Sequence, residues 1–97
     1  MVERIMLFKL RDPARRDELA AATLAALSAL PDIEELSVGV PADAASEKSW
    51  DLSVVIGLAN SLLLDKLLAS TLFSAYLDGT MKDAYEVVKA WSFERLV

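Results

Sequence analysis

A run of eight residues near the start of the chain, from Glu3 to Leu10, carries apolar side chains at both alternating positions of an extended strand. Successive side chains of a strand point to opposite faces of its sheet. A strand that is apolar on both faces is covered on both sides. The sequence therefore predicts a sheet whose two faces are each packed against another layer. The two apolar sets are Met6, Phe8 and Leu10 on one face, and Ile5 and Leu7 on the other.

The next segment has the signals of a helix followed by a second strand. Asp12 is suited to cap a helix N-terminus, and Pro13 is suited to its first position. Alanine and leucine continue up to Pro31, which predicts the end of this helix. Alternation at 33–40 then predicts a strand, and the small and polar residues at 41–49 predict a loop.

The second half of the chain predicts two further strands with helical structure between them. The strands are expected at 50–58 and 86–93. Asn60 or Ser61 caps a short helix, and a second helical stretch is expected at 71–84. The order is β-α-β-β-α-β with the second helical region in two pieces. This order predicts an α+β, ferredoxin-like fold with helices on one face of the sheet.

The face of such a sheet that lacks helices is apolar in this sequence. Of the 97 residues, 55% are hydrophobic, which is more than a core of this size accommodates. An exposed apolar face normally marks an association site. We therefore expect two copies to pack face to face across a two-fold axis, as a homodimeric α/β barrel. The expected interface consists of Ile5, Leu7, Val55, Val87, Trp91 and Phe93.

The composition excludes several kinds of chemistry. Without histidine and cysteine, the chain has no disulfide, Cys/His zinc site, Ser-His-Asp triad or histidine base. A net charge of −5 argues against nucleic acid or an anionic membrane as the main partner, because phosphate binding needs clustered Lys and Arg. We expect no cofactor and no metal. The first residues lack the apolar core of a signal peptide, so we expect one cytoplasmic domain over residues 1–97.

Four segments together are similar to a known domain. Glu3–Asp12 is an apolar strand that leads into the first helix, and Trp50–Val55 starts a strand with an aromatic residue and an aspartate. Leu68–Phe73 lies between the helices, and Trp91–Glu94 closes the last strand. In this order and spacing the segments resemble the stress-responsive A/B barrel (Dabb) domain family over nearly the whole chain.

The resemblance implies a dimeric α+β barrel, in agreement with the apolar open face. Some members of that family are polyketide cyclases, with a pocket between the helices and the sheet and chemistry that relies on a Tyr and a His. In this sequence the resemblance puts Leu67 at the Tyr position and Phe73 at the His position. Two further positions that carry His in that family are Ser70 and, in the first strand, Arg4. We expect no catalytic residue. A pocket between the layers is expected to be lined by Arg4, Met6, Phe8, Val54, Leu67, Phe73, Tyr76, Val88 and Ala90.

Arg4 is the polar residue most suited to bind a ligand. Its position in the alternation is that of Met6 and Phe8, so it is expected to point towards the helices. A guanidinium there can bind a carboxylate or a phosphate. The alternative, which we expect, is an ion pair at the rim with Glu94 or Asp78.

The other chemistry-bearing side chains are expected to pack or to be solvated. Tyr76 and Tyr85 are the only phenols, and no neighbouring residue in the sequence activates them. Trp91 and Phe93 either stack on an aromatic ligand or fill a dimer core, and we expect the dimer core. The acidic side chains diverge and do not predict a metal site. They are Glu34, Glu35, Asp78 and Asp83.

Two functional classes fit these observations. The first is a small dimeric barrel without catalysis, whose partners are a second copy and an apolar or anionic small molecule. The second is a cofactor-free enzyme, polyketide cyclase-like or small monooxygenase-like, acting on an aromatic or polyketide-type substrate. The absence of histidine favours the first. A pocket of about 300 Å³ or more with a polar group inside is the feature that an enzyme requires.

Overall fold

A four-stranded antiparallel sheet is the centre of the computed structural model, which describes residues 1–96. Its strands are β1 (Val2–Leu10), β2 (Glu35–Gly39), β3 (Leu52–Leu58) and β4 (Tyr85–Glu94). They lie in the order β2-β3-β1-β4, so β2 and β4 are the edge strands. The predicted ferredoxin-like α+β fold is confirmed.

The helices that connect the strands begin at side-chain caps. They are α1 (Arg16–Ser28), α2 (Ala44–Ser49), α3 (Ser61–Leu68) and α4 (Thr71–Ala75). Asp12 accepts a hydrogen bond from the Ala14 N–H and starts a 3₁₀ turn that leads into α1. Asn60 accepts from the Leu63 N–H and caps α3. Both caps agree with the sequence. Within residues 1–96, no helix is long and apolar enough to cross a membrane.

The segment 41–49 was predicted to be a loop, and this prediction is wrong because the segment contains α2. The Asp43 carboxylate accepts a hydrogen bond of 2.7 Å from the Ser46 N–H and caps the helix. None of the six residues of α2 is buried. The helix therefore has no apolar periodicity for a sequence pattern to detect.

The helical region predicted at 71–84 is also shorter than expected. α4 has five residues and continues into a π-helical segment, Tyr76–Thr80, that contains Gly79. Asp83 then adopts a positive φ of 59°, in the left-handed region that ends helices. α1 likewise ends at Ser28, before the predicted end, and Asp32 follows with a φ of 67°.

The strand register separates the two apolar sets of β1 as predicted. Ile5 pairs with Val55 and with Trp91, so these three side chains share the face that lacks helices. Met6 pairs with Val54, and both are buried beneath the helices. We call the face without helices the open face. It carries Glu3, Ile5, Leu7 and Lys9 of β1, Glu35, Ser37 and Gly39 of β2, Ser53, Val55 and Gly57 of β3, and Val87, Lys89, Trp91 and Phe93 of β4.

The core lies between the sheet and the helices and is centred on Phe8. Its ring makes edge-to-face contacts with Tyr76 and Tyr85, at centroid distances of 6.3 and 5.5 Å. Leu27 of α1 and Met81 complete this layer without solvent exposure. The helix-facing side of the sheet is therefore filled by the chain itself.

Candidate functional site

The open face carries the exposed apolar side chains of the sheet. On β4, Val87, Trp91 and Phe93 are 40%, 45% and 56% exposed. An apolar surface of this kind marks an association site. All six residues predicted to form an interface lie on this face, and three of them, Ile5, Leu7 and Val55, are partly buried within the chain.

The two halves of the open face differ in side-chain size. Gly39 lies so close to β3 that a Cβ atom there would be 2.8 Å from the Ser53 Oγ. Bulky side chains are thus excluded from this part of the face unless β2 and β3 shift. We call Ser37, Gly39, Ser53 and Gly57 the small half. We call Ile5, Leu7, Val87, Trp91 and Phe93 the bulky half.

Three of the four charged side chains on the open face, those of Glu3, Glu35 and Lys9, have partners among the described residues. Arg95 follows β4 and reaches across the sheet to Glu3, at 3.1 Å, and to Glu35, at 2.7 Å. Its guanidinium holds the pKa of the Glu35 carboxyl below its usual value. At the other end of the face, the Lys9 Nζ lies 4.0 Å from a carboxylate oxygen of Asp51. Apolar contact is therefore the main interaction that this face offers.

An open cavity of about 340 Å³ adjoins the small half. Leu7 and Ser53 belong both to the cavity and to the open face. The volume falls within the range of small-molecule pockets. No sequence signal predicted this cavity, because part of its wall is the segment 41–49. It is lined by Leu7, Val40, Pro41, Ala42, Ser46, Trp50, Asp51, Leu52 and Ser53.

Asp51, at the start of β3, is a fully buried carboxylate next to this cavity. Its Oδ1 accepts a hydrogen bond of 2.9 Å from the Arg16 Nε–H, and the Arg16 Nη2 lies 2.7 Å from the same oxygen in an ion pair. Its Oδ2 accepts one from the Leu10 N–H at 2.7 Å. These bonds join the end of β1, the start of α1 and the start of β3. They also raise the pKa of Arg16, chiefly through the hydrogen bond to Asp51.

Sequence reasoning did not single out Asp51. A signal for it was present, because an aspartate stands directly before a buried strand, in the Trp50-Asp51-Leu52 segment that resembles the Dabb pattern. A buried carboxylate whose two oxygens are both hydrogen-bonded, one of them also in an ion pair, is a structural group rather than a general base. The cavity reaches the volume expected of an enzyme pocket, but the carboxylate in its wall, Asp51, is engaged by Arg16 and the Leu10 N–H and shapes the end of the cavity.

The residues predicted to line a pocket between the layers lie on the helix-facing side. Six of the nine are buried in the core: Met6, Phe8, Val54, Leu67, Phe73 and Tyr76. One of the nine, Leu67, lines a small cavity. That cavity, beside Asp32 and Ser70, holds about 50 Å³, which is small for a ligand pocket.

Arg4 points towards the helices, and its predicted ion pair is absent. Within residues 1–96, neither Glu94 nor Asp78 pairs with it, and Glu94 lies 3.9 Å from the N-terminal amine instead. The Arg4 Nη1 donates to the Ser92 Oγ at 3.1 Å. The Nε is buried without a hydrogen-bond partner among the described residues. The ion-pair prediction was wrong because β4 places Ser92, not an acid, opposite Arg4.

The buried phenol of Tyr76 is held in its neutral form. Its oxygen lies 2.9 Å from the Thr23 Oγ1, and both residues are buried. Burial raises the pKa of Tyr76 to about 12. A phenol with a raised pKa is a poor base near neutral pH. Nor do the acidic residues converge, since no cluster of three or more potential metal ligands occurs in residues 1–96.

Solved structures share this fold, whereas no family model and no curated protein matches the sequence. A Dabb family protein with a ferredoxin-like fold from Mesorhizobium loti superposes with a TM-score of 0.81 at 9% identity, covering 99% of this chain and 97% of that one. An EthD family protein from Bacillus halodurans gives 0.80 at 19% identity and covers 99% of both chains. The chain thus has the ferredoxin-like fold of Dabb proteins.

Other proteins of this fold are described as dimers. One is a dimeric protein of unknown function from Bacteroides fragilis, with a TM-score of 0.77 and 20% identity over 97% of this chain and 95% of that chain. At such identities the likeness concerns the fold. It agrees with the resemblance of the four sequence segments to the Dabb family.

Proposed function

We propose that this protein is a non-catalytic homodimeric barrel whose two sheets pack through their open faces, with at most an apolar small-ligand pocket. The observation that carries the proposal is the exposure of Val87, Trp91 and Phe93 on a sheet face without helices. Burial of large aromatic side chains is a strong drive to association. Dimeric proteins of the same fold support it.

The side chains at the cyclase positions support the absence of catalysis. Leu67 and Phe73, which replace the Tyr and His of that chemistry, are apolar and buried in the core. Neither can donate or accept a proton. Two phenols pack against Phe8 on the helix-facing side, and the buried one, Tyr76, has its oxygen 2.9 Å from the Thr23 Oγ1.

The test is the oligomeric state of the protein and of the variant Trp91→Glu. The wild type is expected to sediment at about twice the chain mass of 10.6 kDa. Trp91→Glu is expected to be monomeric or aggregated, because it places a charge in a desolvated interface. Leu72→Glu is the matched control, since Leu72 is 58% exposed on α4, away from the open face.

The control is expected to remain dimeric. A wild-type protein that sediments only as a 10.6 kDa species at all concentrations contradicts the proposal. So does a Trp91→Glu variant that remains a folded dimer.

A further inference from the structure

We propose that the cavity next to the small half binds a small, neutral aromatic molecule, such as an aromatic alcohol. The inference rests on the ligand pocket of the proposed function and gives that pocket a place and a ligand class. The cavity reaches the open face through Leu7 and Ser53. It is distinct from the pocket expected between the helices and the sheet, because none of the nine residues predicted for that pocket lines it.

The cavity is enclosed by two strands and by the segment that joins β2 to β3. Leu7 of β1 and Leu52 of β3 line it on the sheet, and Val40 and Pro41 line it where β2 ends. Its lining is largely apolar, and its volume is about 340 Å³. An apolar cavity of about 150 Å³ is large enough for benzene. This cavity therefore has room for an aromatic ring with a short substituent, and burial of the ring provides most of the affinity.

The charge in the cavity wall is neutralised within the chain. Asp51 is the charged residue of the lining, and it is fully buried. Its two oxygens accept hydrogen bonds from the Arg16 Nε–H at 2.9 Å and from the Leu10 N–H at 2.7 Å. A carboxylate ligand would face this carboxylate, and an ammonium ligand would compete with Arg16 for it. Either ion would lose its hydration without gaining a partner, so the wall favours a neutral ligand.

Trp50 and two serines favour a ligand that combines an aromatic ring with a hydroxyl group. Trp50 lines the cavity and is half-buried, and an indole packs well against a second aromatic ring. The hydroxyl groups of Ser46 and Ser53, also in the lining, can each donate and accept a hydrogen bond. The Ser53 Oγ lies close to Gly39, where a Cβ atom would be 2.8 Å away, so the glycine provides the space for this hydroxyl.

The walls are held in place by the chain itself. The Asp43 carboxylate caps α2 through the Ser46 N–H, and the Trp50 N–H donates to the Ser46 carbonyl oxygen at 2.9 Å. The Asp51 N–H donates to the Phe8 carbonyl oxygen at 2.8 Å and fixes the end of this segment to β1. A preformed site loses less conformational entropy when a ligand binds. Because α2 has no buried residue, its contribution is to this wall rather than to the core.

The first test compares three probes of similar size that differ in charge: benzyl alcohol, benzoate and benzylammonium. Binding to the wild type is measured by isothermal titration calorimetry at neutral pH, and the oligomeric state is measured by sedimentation in the same buffer. We expect benzyl alcohol to bind with a Kd at least about tenfold lower than that of either ion, because each ion loses hydration in the cavity. Equal affinity for the three probes, or tighter binding of an ion, contradicts the ligand class.

The second test fills the cavity from its wall. Ala42 is an exposed residue of the lining, whereas Ala44, two residues later in α2, is exposed and does not belong to the lining. Ala42→Trp is expected to raise the Kd for benzyl alcohol at least about tenfold, because the indole occupies the volume that the ligand needs. Ala44→Trp is the matched control and is expected to leave the Kd unchanged. Enlarging either exposed residue leaves the core intact.

NMR spectroscopy of the wild type locates the ligand. The chain has two tryptophans, and each indole N–H gives its own signal. Benzyl alcohol is expected to shift the signal of Trp50, which lines the cavity, and to leave that of Trp91 in place. A shift of the Trp91 signal alone puts the ligand on the bulky half and overturns the inference.

A wild-type dimer that binds none of the three probes overturns the inference and leaves the proposed dimer intact. Equal affinity of the wild type and Ala42→Trp for benzyl alcohol overturns it as well. If Ala42→Trp weakens the dimer and benzyl alcohol does not bind, a second copy fills the cavity and the inference is wrong. A wild type that is monomeric in sedimentation refutes the proposed dimer, whereas the titrations still decide the inference, because all nine lining residues belong to one chain.

Discussion

Replacing Asp51 by asparagine tests the buried ion pair that joins β1, α1 and β3. The carboxylate is fully buried, accepts one hydrogen bond from the Arg16 Nε–H and one from the Leu10 N–H, and lies 2.7 Å from the Arg16 Nη2. An amide of the same shape has one accepting oxygen, and its NH₂ group faces a donor. Removing one partner of a buried pair costs about 3–5 kcal/mol. Since Arg16 keeps 21% of its side-chain surface exposed, we expect about 3 kcal/mol.

The matched control changes another carboxylate that binds the same guanidinium. Glu47 lies 3.2 Å from Arg16 Nη1, but its side chain is 59% exposed. Glu47→Gln is therefore expected to lower the free energy of unfolding by at most about 1 kcal/mol. Both variants are compared with the wild type by urea unfolding at one protein concentration, because the stability of a dimer depends on concentration.

For a chain of this length, about 3 kcal/mol corresponds to a fall in Tm of roughly 12–24 °C. If the Asp51→Asn variant is already unfolded at room temperature, the loss of stability is larger still and the prediction holds. If Asp51→Asn costs no more than Glu47→Gln, the reasoning is refuted, since burial then makes no difference to the pair.

Tyr76→Phe tests the buried phenol. The unfolded chain loses this proton near pH 10 and the folded chain near the raised pKa of about 12, so wild-type stability falls by up to about 2.7 kcal/mol as the pH rises through that window. Urea unfolding from pH 9 to pH 12 is expected to show a shallower fall for the variant, and parallel curves would refute this. Arg4→Met removes a guanidinium that bonds only to Ser92 among the described residues. Acetate and phosphate are expected to shift the Tm of this variant and of the wild type equally, whereas a rise confined to the wild type would reveal an anion site. The wild type is expected not to turn over a linear polyketide-type substrate, as followed by chromatography. Turnover that is lost on changing Leu67 or Phe73 to alanine contradicts this expectation.

Much of the fold was predictable because it depends on local patterns. The alternation in 3–10 assigned Ile5 and Met6 to opposite faces, and the register confirms it. Asp12 and Asn60 predicted where helices begin, because a capping side chain accepts a hydrogen bond from a backbone N–H group two or three residues later. Sequence patterns did not predict α2, because none of its residues is buried. They also did not predict the end of the helical region before Asp83, where the backbone adopts a positive φ.

The candidate site was predictable in part. Side chains alternate between the two faces along each strand, and this alternation determines which residues share the open face. The sequence therefore predicted Trp91 and Phe93 on that face. The contrast between a bulky and a small half required the strand order, because it depends on β2 and β4 being opposite edges. The same is true of the cavity beside Ser53.

By itself, the sequence determined the element order, the two faces of the sheet and the absence of histidine and cysteine chemistry. Only the tertiary structure decided that Asp51 binds Arg16, 35 residues earlier, and that Arg4 meets Ser92 rather than an acid. Periodicity and capping depend on residues close together in the sequence, so a local pattern predicts them. The partner of a buried charge depends on strand order and register, which bring residues together that are distant in the sequence. No local sequence pattern predicts such a contact.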